Sequence, residues 1–170
     1  VSLITRLFGP RAAVTDVRPL WHRTIEIARE KPWYKAAGIA DTVPGRFDAI
    51  TLVLSLVLLR MEREPTLIEP SVRLTEIFVE DMDGQLRESG VGDLAVGKHM
   101  GKLMGVLGGR LGAYRTALAS DGPALADAVA RNVTLGPDGD ADRIAAEMRL
   151  LAAQLADLPT SDLLAGNITR

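Results

Sequence analysis

The side chains that come closest to a chemical site are five aspartates, Asp41, Asp48, Asp81, Asp83 and Asp93. Grouped carboxylates bind divalent cations or serve as acid and base, and their spacing decides which. Tested as a calcium loop, Asp81-Met82-Asp83 supplies positions one and three. Leu86 then stands where the turn glycine is required, and Gly92 where the bidentate glutamate is required. Two positions apart on a helix, Asp81 and Asp83 point to different faces, which weakens a diphosphate-binding carboxylate site as well. Gly97-Lys98 lacks both the first glycine and the following Ser or Thr of a phosphate-binding loop. The chain has no cysteine and two histidines, His22 and His99, so thiolate chemistry is excluded and a zinc site or a histidine catalyst lacks its parts. The expectation is a protein with no metal, no organic cofactor and no enzymatic activity.

The charges have a second use. Arg46 near a helix N-terminus opposes the helix dipole unless a carboxylate partners it, and Asp48 is close enough to do so. Asp83 and Arg87 can pair at i, i+4. Arg46, Asp48, Asp81, Arg87, Asp93 and Arg110 therefore have two readings, as ties between helix ends and turns or as the charged rim of a docking surface.

The elements that must position these residues are helices, since apolar residues recur at helical spacing and alternating strand patterns are nearly absent. A chain of 170 residues, 47% hydrophobic and 25% charged, fits one domain with an ordinary core. Twenty basic residues balance 22 acidic ones, and a net charge of -2 gives no basis for specific nucleic-acid binding. The fold class is all-α, a single-domain helical bundle. Residues 1–16 form an N-terminal segment, 17–120 the core, and 121–170 C-terminal helices packed on it. Helices are expected near 17–30, 44–63, 70–89, 94–118 and 141–155, with another beginning at Asp121-Gly122-Pro123 and Asp93 capping the one near 94–118. Ile50 to Leu59 is apolar on every face apart from Thr51 and Ser55, which puts that helix at the centre of the bundle. The uncharged run from Ala49 is far short of the roughly 20 residues of a membrane span. With no secretory signal, the expected location is cytoplasmic, and the amphipathic start Val1 to Phe8 suits peripheral contact with the inner membrane.

The helix near 94–118 carries Gly97, Gly101, Gly105, Gly108, Gly109 and Gly112. At about 100° per residue they share an arc of roughly 120°. A neighbouring arc holds Val96, Met100, Leu103, Met104, Leu107, Leu111, Tyr114 and Leu118. Each interior glycine costs about 1 kcal/mol relative to alanine, so close packing of a helix must offset the loss. That helix either belongs to the same chain, with the apolar 44–63 helix the natural neighbour, or to a partner. In the second case the glycines with adjacent methionines would form an adaptable groove.

Tyr34, Gly38, Asp41-Thr42 and Gly45-Arg46-Phe47-Asp48 begin a pattern that continues with Phe78 and the stretch DMDGQLRESGVGDLAVGK, then Gly109-Arg110 and Tyr114. Over roughly Trp21 to Leu118 it resembles the ubiquinol-cytochrome c chaperone family. The resemblance implies a bacterial all-α assembly factor for ubiquinol-cytochrome c reductase, respiratory complex III, without catalytic residues. It further implies a client, newly made cytochrome b or another membrane protein, and a small helper protein. The candidate client contacts are Tyr34, Asp41, Arg46, Phe47, Asp48, Asp81, Asp83, Arg87, Asp93, Lys98, Gly101, Met104, Gly105, Arg110 and Tyr114. Two other classes compete. An α-helical enzyme or binding protein for an isoprenoid or quinone-like ligand would need a converging acid and base or a metal-binding carboxylate pair. A structural subunit of a complex would need a large permanent apolar patch.

Overall fold

The computed structural model describes residues 15–88 and 96–170, with side chains at 15–84 and 101–170. Among these residues the chain is an all-α bundle with seven α-helices. They are α1 Arg18–Ala28, α2 Val43–Met61, α3 Ile68–Glu88, α4 Val96–Leu118, α5 Ala124–Asn132, α6 Ala141–Asp157 and α7 Thr160–Leu164. The expected cap of α4, Asp93, lies outside the described residues.

The central helix follows directly from its composition. With no polar face, α2 can satisfy itself only by being surrounded, and it packs against α1, α3, α4 and α6. Every residue from Asp48 to Leu58 is buried. Thr51 and Ser55 donate their hydroxyls back to helix carbonyls, to Asp48 and Thr51 respectively. Thr42 caps the helix by accepting from the Gly45 amide at 3.2 Å. Its other end is tied by the buried Arg60, whose Nε donates to the Leu155 carbonyl at 2.8 Å and whose Nη2 donates to that of Leu158 at 3.0 Å. The guanidinium thus sits at the C-terminus of α6, where the helix dipole favours a cation.

Around α2, the stripe Leu74, Phe78 and Met82 turns α3 inward, with Trp21 of α1 edge-on to Phe78 at 6.0 Å between ring centroids. Leu125 and Val129 of α5 and Ile144, Met148, Leu151 and Leu155 of α6 complete the core.

Local structure departs from the sequence expectation at three places. The first helix ends at Ala28 rather than near Glu30, and Pro32 opens a π-helical turn, Pro32–Ala36. Pro70 lies inside the first turn of α3 rather than at its start, because a 3-10 turn, Pro65–Leu67, leads the chain straight into the helix. The segment after that π turn is held by the loop before α6: Ile39 and Leu135 form an isolated antiparallel bridge, Ala40 donates to the Thr134 carbonyl at 2.9 Å, and Gly136 donates to that of Gly38 at 2.8 Å.

Candidate functional site

The motif residues converge on two places of opposite character. The first is a buried polar joint between α2, α4 and the 133–135 loop. Asp48, with a side chain 7% exposed, accepts from Arg110 Nη2 at 2.6 Å, from the Thr134 amide at 2.8 Å and from Thr134 Oγ1 at 2.6 Å. Arg110 also donates to Thr51 Oγ1 and lies over the Phe47 ring, 5.5 Å from its centroid. One turn along α4, Tyr114 is fully buried, and its hydroxyl finds no hydrogen-bond partner among the described residues. Burial raises its pKa to about 12, Asp48 adds to the rise, and Arg110 opposes it.

This joint corrects one pairing. Asp48 does not serve Arg46; it serves Arg110, 62 residues on, because its position on α2 points inward. Arg46 points outward and takes Asp41 instead, Nε to Oδ1 at 2.7 Å. That exposed pair holds the Asp41 carboxyl below its usual range through the hydrogen bond.

Beside the joint, two glycines are required by contact. A Cβ on Gly45 would stand 1.9 Å from the Ala40 carbonyl oxygen. Gly38 has φ +75, and a Cβ there would meet the backbone of Asp138 and Gly139 at 2.6 Å. Tyr34 is half-buried and donates its hydroxyl to the Ala28 carbonyl at 2.8 Å, pinning the π turn to the end of α1.

The second place is the outer face of α4. The helix meets the core through Leu103, Leu107, Tyr114 and Ala117. Gly101, Gly105, Gly108, Gly109 and Gly112 turn away from it, and among the described residues a Cβ added at any of the five meets nothing within 4 Å. The packing of α2 along the glycines, one of the two sequence expectations, is therefore not what the fold does: α2 meets α4 on the leucine and tyrosine side. Met104 sits at the border of the open arc, 46% exposed. At its C-terminal end the arc runs into a shallow groove of about 480 Å³ between α4 and α5, lined by Gly112, Thr116, Asp127 and Arg131.

The remaining candidate residues are dispersed. Asp81 is exposed and Asp83 partly buried on α3, while the side chains of Arg87 and Lys98, and Asp93 altogether, lie outside what is described. Among the described residues no group of three His, Asp or Glu side chains is arranged to hold a metal ion. Two members of the joint, Thr51 and Thr134, are not among the sequence candidates. Thr51 does carry a signal, as a polar break in an apolar helix three residues after Asp48. Thr134, 86 residues from its partner, carries none.

The sequence of the chain matches the ubiquinol-cytochrome C chaperone family over residues 35–170. The chain belongs to that family. Its role is accordingly that of a chaperone in the assembly of ubiquinol-cytochrome c reductase. The family match runs through the C-terminal helices, beyond the stretch on which the sequence resemblance rests. A crystal structure of the Cbp3 homolog from Brucella abortus is similar to this chain with a TM-score of 0.79 and 33% sequence identity, covering 98% of this chain and 96% of that one. Comparison with curated proteins finds no match. In this chaperone-family chain, Gly38, Gly45, Asp48 and Arg110 build the joint that fixes α2, α4 and the 133–140 loop to one another.

Proposed function

We propose that this chaperone holds newly made cytochrome b through the open glycine and methionine arc of α4, and that the occupant of that arc is a transmembrane helix of the client. The observation that carries the reading is that no described residue covers the arc. Five interior glycines cost several kcal/mol of helix propensity, and among the described residues nothing packs on them in return. A glycine surface lets another helix approach backbone to backbone, the contact by which apolar helices associate in membranes. Met104 adds a polarizable side chain that adapts to the partner. Lys102, Arg115, Asp127 and Arg131 along the arc and its groove keep the face wetted when it is vacant. Among the described residues no helix is long and apolar enough to cross a membrane. The protein would meet its client from the cytoplasmic face of the inner membrane, with a small helper protein as a second partner. Its activity is binding rather than catalysis.

The test is genetic and then structural. Deleting the gene lowers cytochrome b, read from its reduced absorbance in membranes of respiring cells, with other respiratory complexes less affected. Gly101→Leu and Gly105→Leu reproduce the loss while the melting temperature holds or rises, since leucine improves helix propensity where the space is open. Normal cytochrome b in the deletion strain would sink the reading. Normal cytochrome b with stable leucine variants moves the client to another face.

A further inference from the structure

The helix that carries the open arc is unevenly anchored along its length. From Arg110 onward α4 is locked: Arg110 is bound to Asp48 and Thr51, Tyr114 and Ala117 are buried, and Arg115 pairs with Glu62 at the end of α2 at 2.6 Å. Among the described residues, nothing comes within 4 Å of a Cβ on any of the four glycines in 101–109, and the buried side chains there are Leu103 and Leu107. Segments with few buried contacts and poor intrinsic propensity open far more often than the whole domain unfolds. Opening would stop at Arg110, because going further strips a buried carboxylate of its cation.

We propose that residues 101–109 of α4 form a separately opening unit hinged at the Asp48–Arg110 pair, and that opening uncovers Leu103, Leu107 and the core surface beneath them for the client. The second half of this statement rests on the proposed function; the first does not. Closed, the unit offers a smooth glycine face. Open, it offers an apolar one that is otherwise hidden, so one segment both admits a client helix and keeps the chaperone from aggregating when no client is present.

The experiment is amide hydrogen exchange on the full chain without client. Amides of 103–109 exchange at least tenfold faster than those of 114–118. Gly105→Ala and Gly108→Ala, each placed in open space, slow exchange in 103–109 about fivefold apiece and leave 114–118 unchanged. Leu107→Ala, on the buried side and away from the arc, speeds exchange in 103–109 only. Equal protection along α4, or a Leu107→Ala effect spread evenly to 118, overturns the separate unit. In cells, the double alanine variant lowers cytochrome b in step with the slowed opening, and unchanged cytochrome b at slowed exchange overturns the link to the client. A deletion strain with normal cytochrome b removes the proposed function instead, and leaves the exchange result standing.

Discussion

Glycine plays opposite parts in two regions of this molecule. At Gly38 and Gly45 the missing side chain is a steric necessity, since backbone atoms of Asp138, Gly139 and Ala40 occupy the space a Cβ would take. Along α4, a Cβ at any of five glycines would meet nothing within 4 Å among the described residues. The first region is filled and its charges are satisfied, with Asp48 engaged by three donors and Arg110 by two acceptors and a ring. The second carries a cost in helix propensity that no contact among the described residues offsets. A cost offset within the fold is architecture, whereas one left without offset points to a contact made outside it.

The sharpest way to break that contrast is to empty one side of the joint. Arg110→Met leaves the Asp48 carboxylate buried with only the Thr134 donors, and should cost about 3–5 kcal/mol in urea unfolding. A variant with near-normal stability would show that the joint is not what fastens α4.

Gly45→Ala comes next. Its methyl must displace the Ala40 carbonyl, which is backbone and cannot swing aside, so a loss of roughly 2–4 kcal/mol is expected. Calorimetry would read it as a clear drop in melting temperature.

The third effect is confined to alkaline pH. Tyr114 keeps its proton to about 12 in the folded chain, against an ordinary value of 10.0, so the fold is at full strength below pH 10 and weakens as pH climbs from there to 12. About 2–3 kcal/mol is at stake across that window. Tyr114→Phe should lack this portion of the alkaline loss. At neutral pH it should be as stable as the parent or better, because it removes a buried hydroxyl that has no partner among the described residues. A loss at neutral pH would mean that the hydroxyl is satisfied after all.

The smallest expected effect has the opposite sign to that of Gly45. Gly105→Ala should raise stability by up to about 1 kcal/mol, since its methyl enters open space in a helix interior. If Gly105→Ala destabilised the protein alone in solution, the arc would be packed and the comparison between the two regions would collapse.

Much of the architecture is legible from local pattern. Apolar spacing marks the helices, and the lack of a polar face on Ile50 to Leu59 places α2 at the centre, as the buried row from Asp48 to Leu58 bears out. The family resemblance carried by the GRFD and DMDGQLRESGVGDL stretches is matched by the family comparison. The π turn and the 3-10 turn were not legible, because a single turn is set by the contacts that its ends make elsewhere. Trp33, for example, donates to the Ile27 carbonyl and takes Arg170 over its ring, and neither contact leaves a periodic trace in the sequence.

By itself the sequence determined the helical class, the central helix, the family and the arc that the α4 glycines share, because each depends on residue type and a spacing of a few residues. Which side of α4 faces the core was decided by tertiary structure alone. Both arcs of that helix are periodic, and either could pack; the choice went to the face whose Leu103, Leu107 and Tyr114 bury the larger apolar area. The partner of Asp48 was likewise a tertiary decision. Arg46 and Arg110 carry the same charge, and the packing of α2 against α4 sends Arg46 to solvent while it brings Arg110 to within 2.6 Å of the inward-facing Asp48.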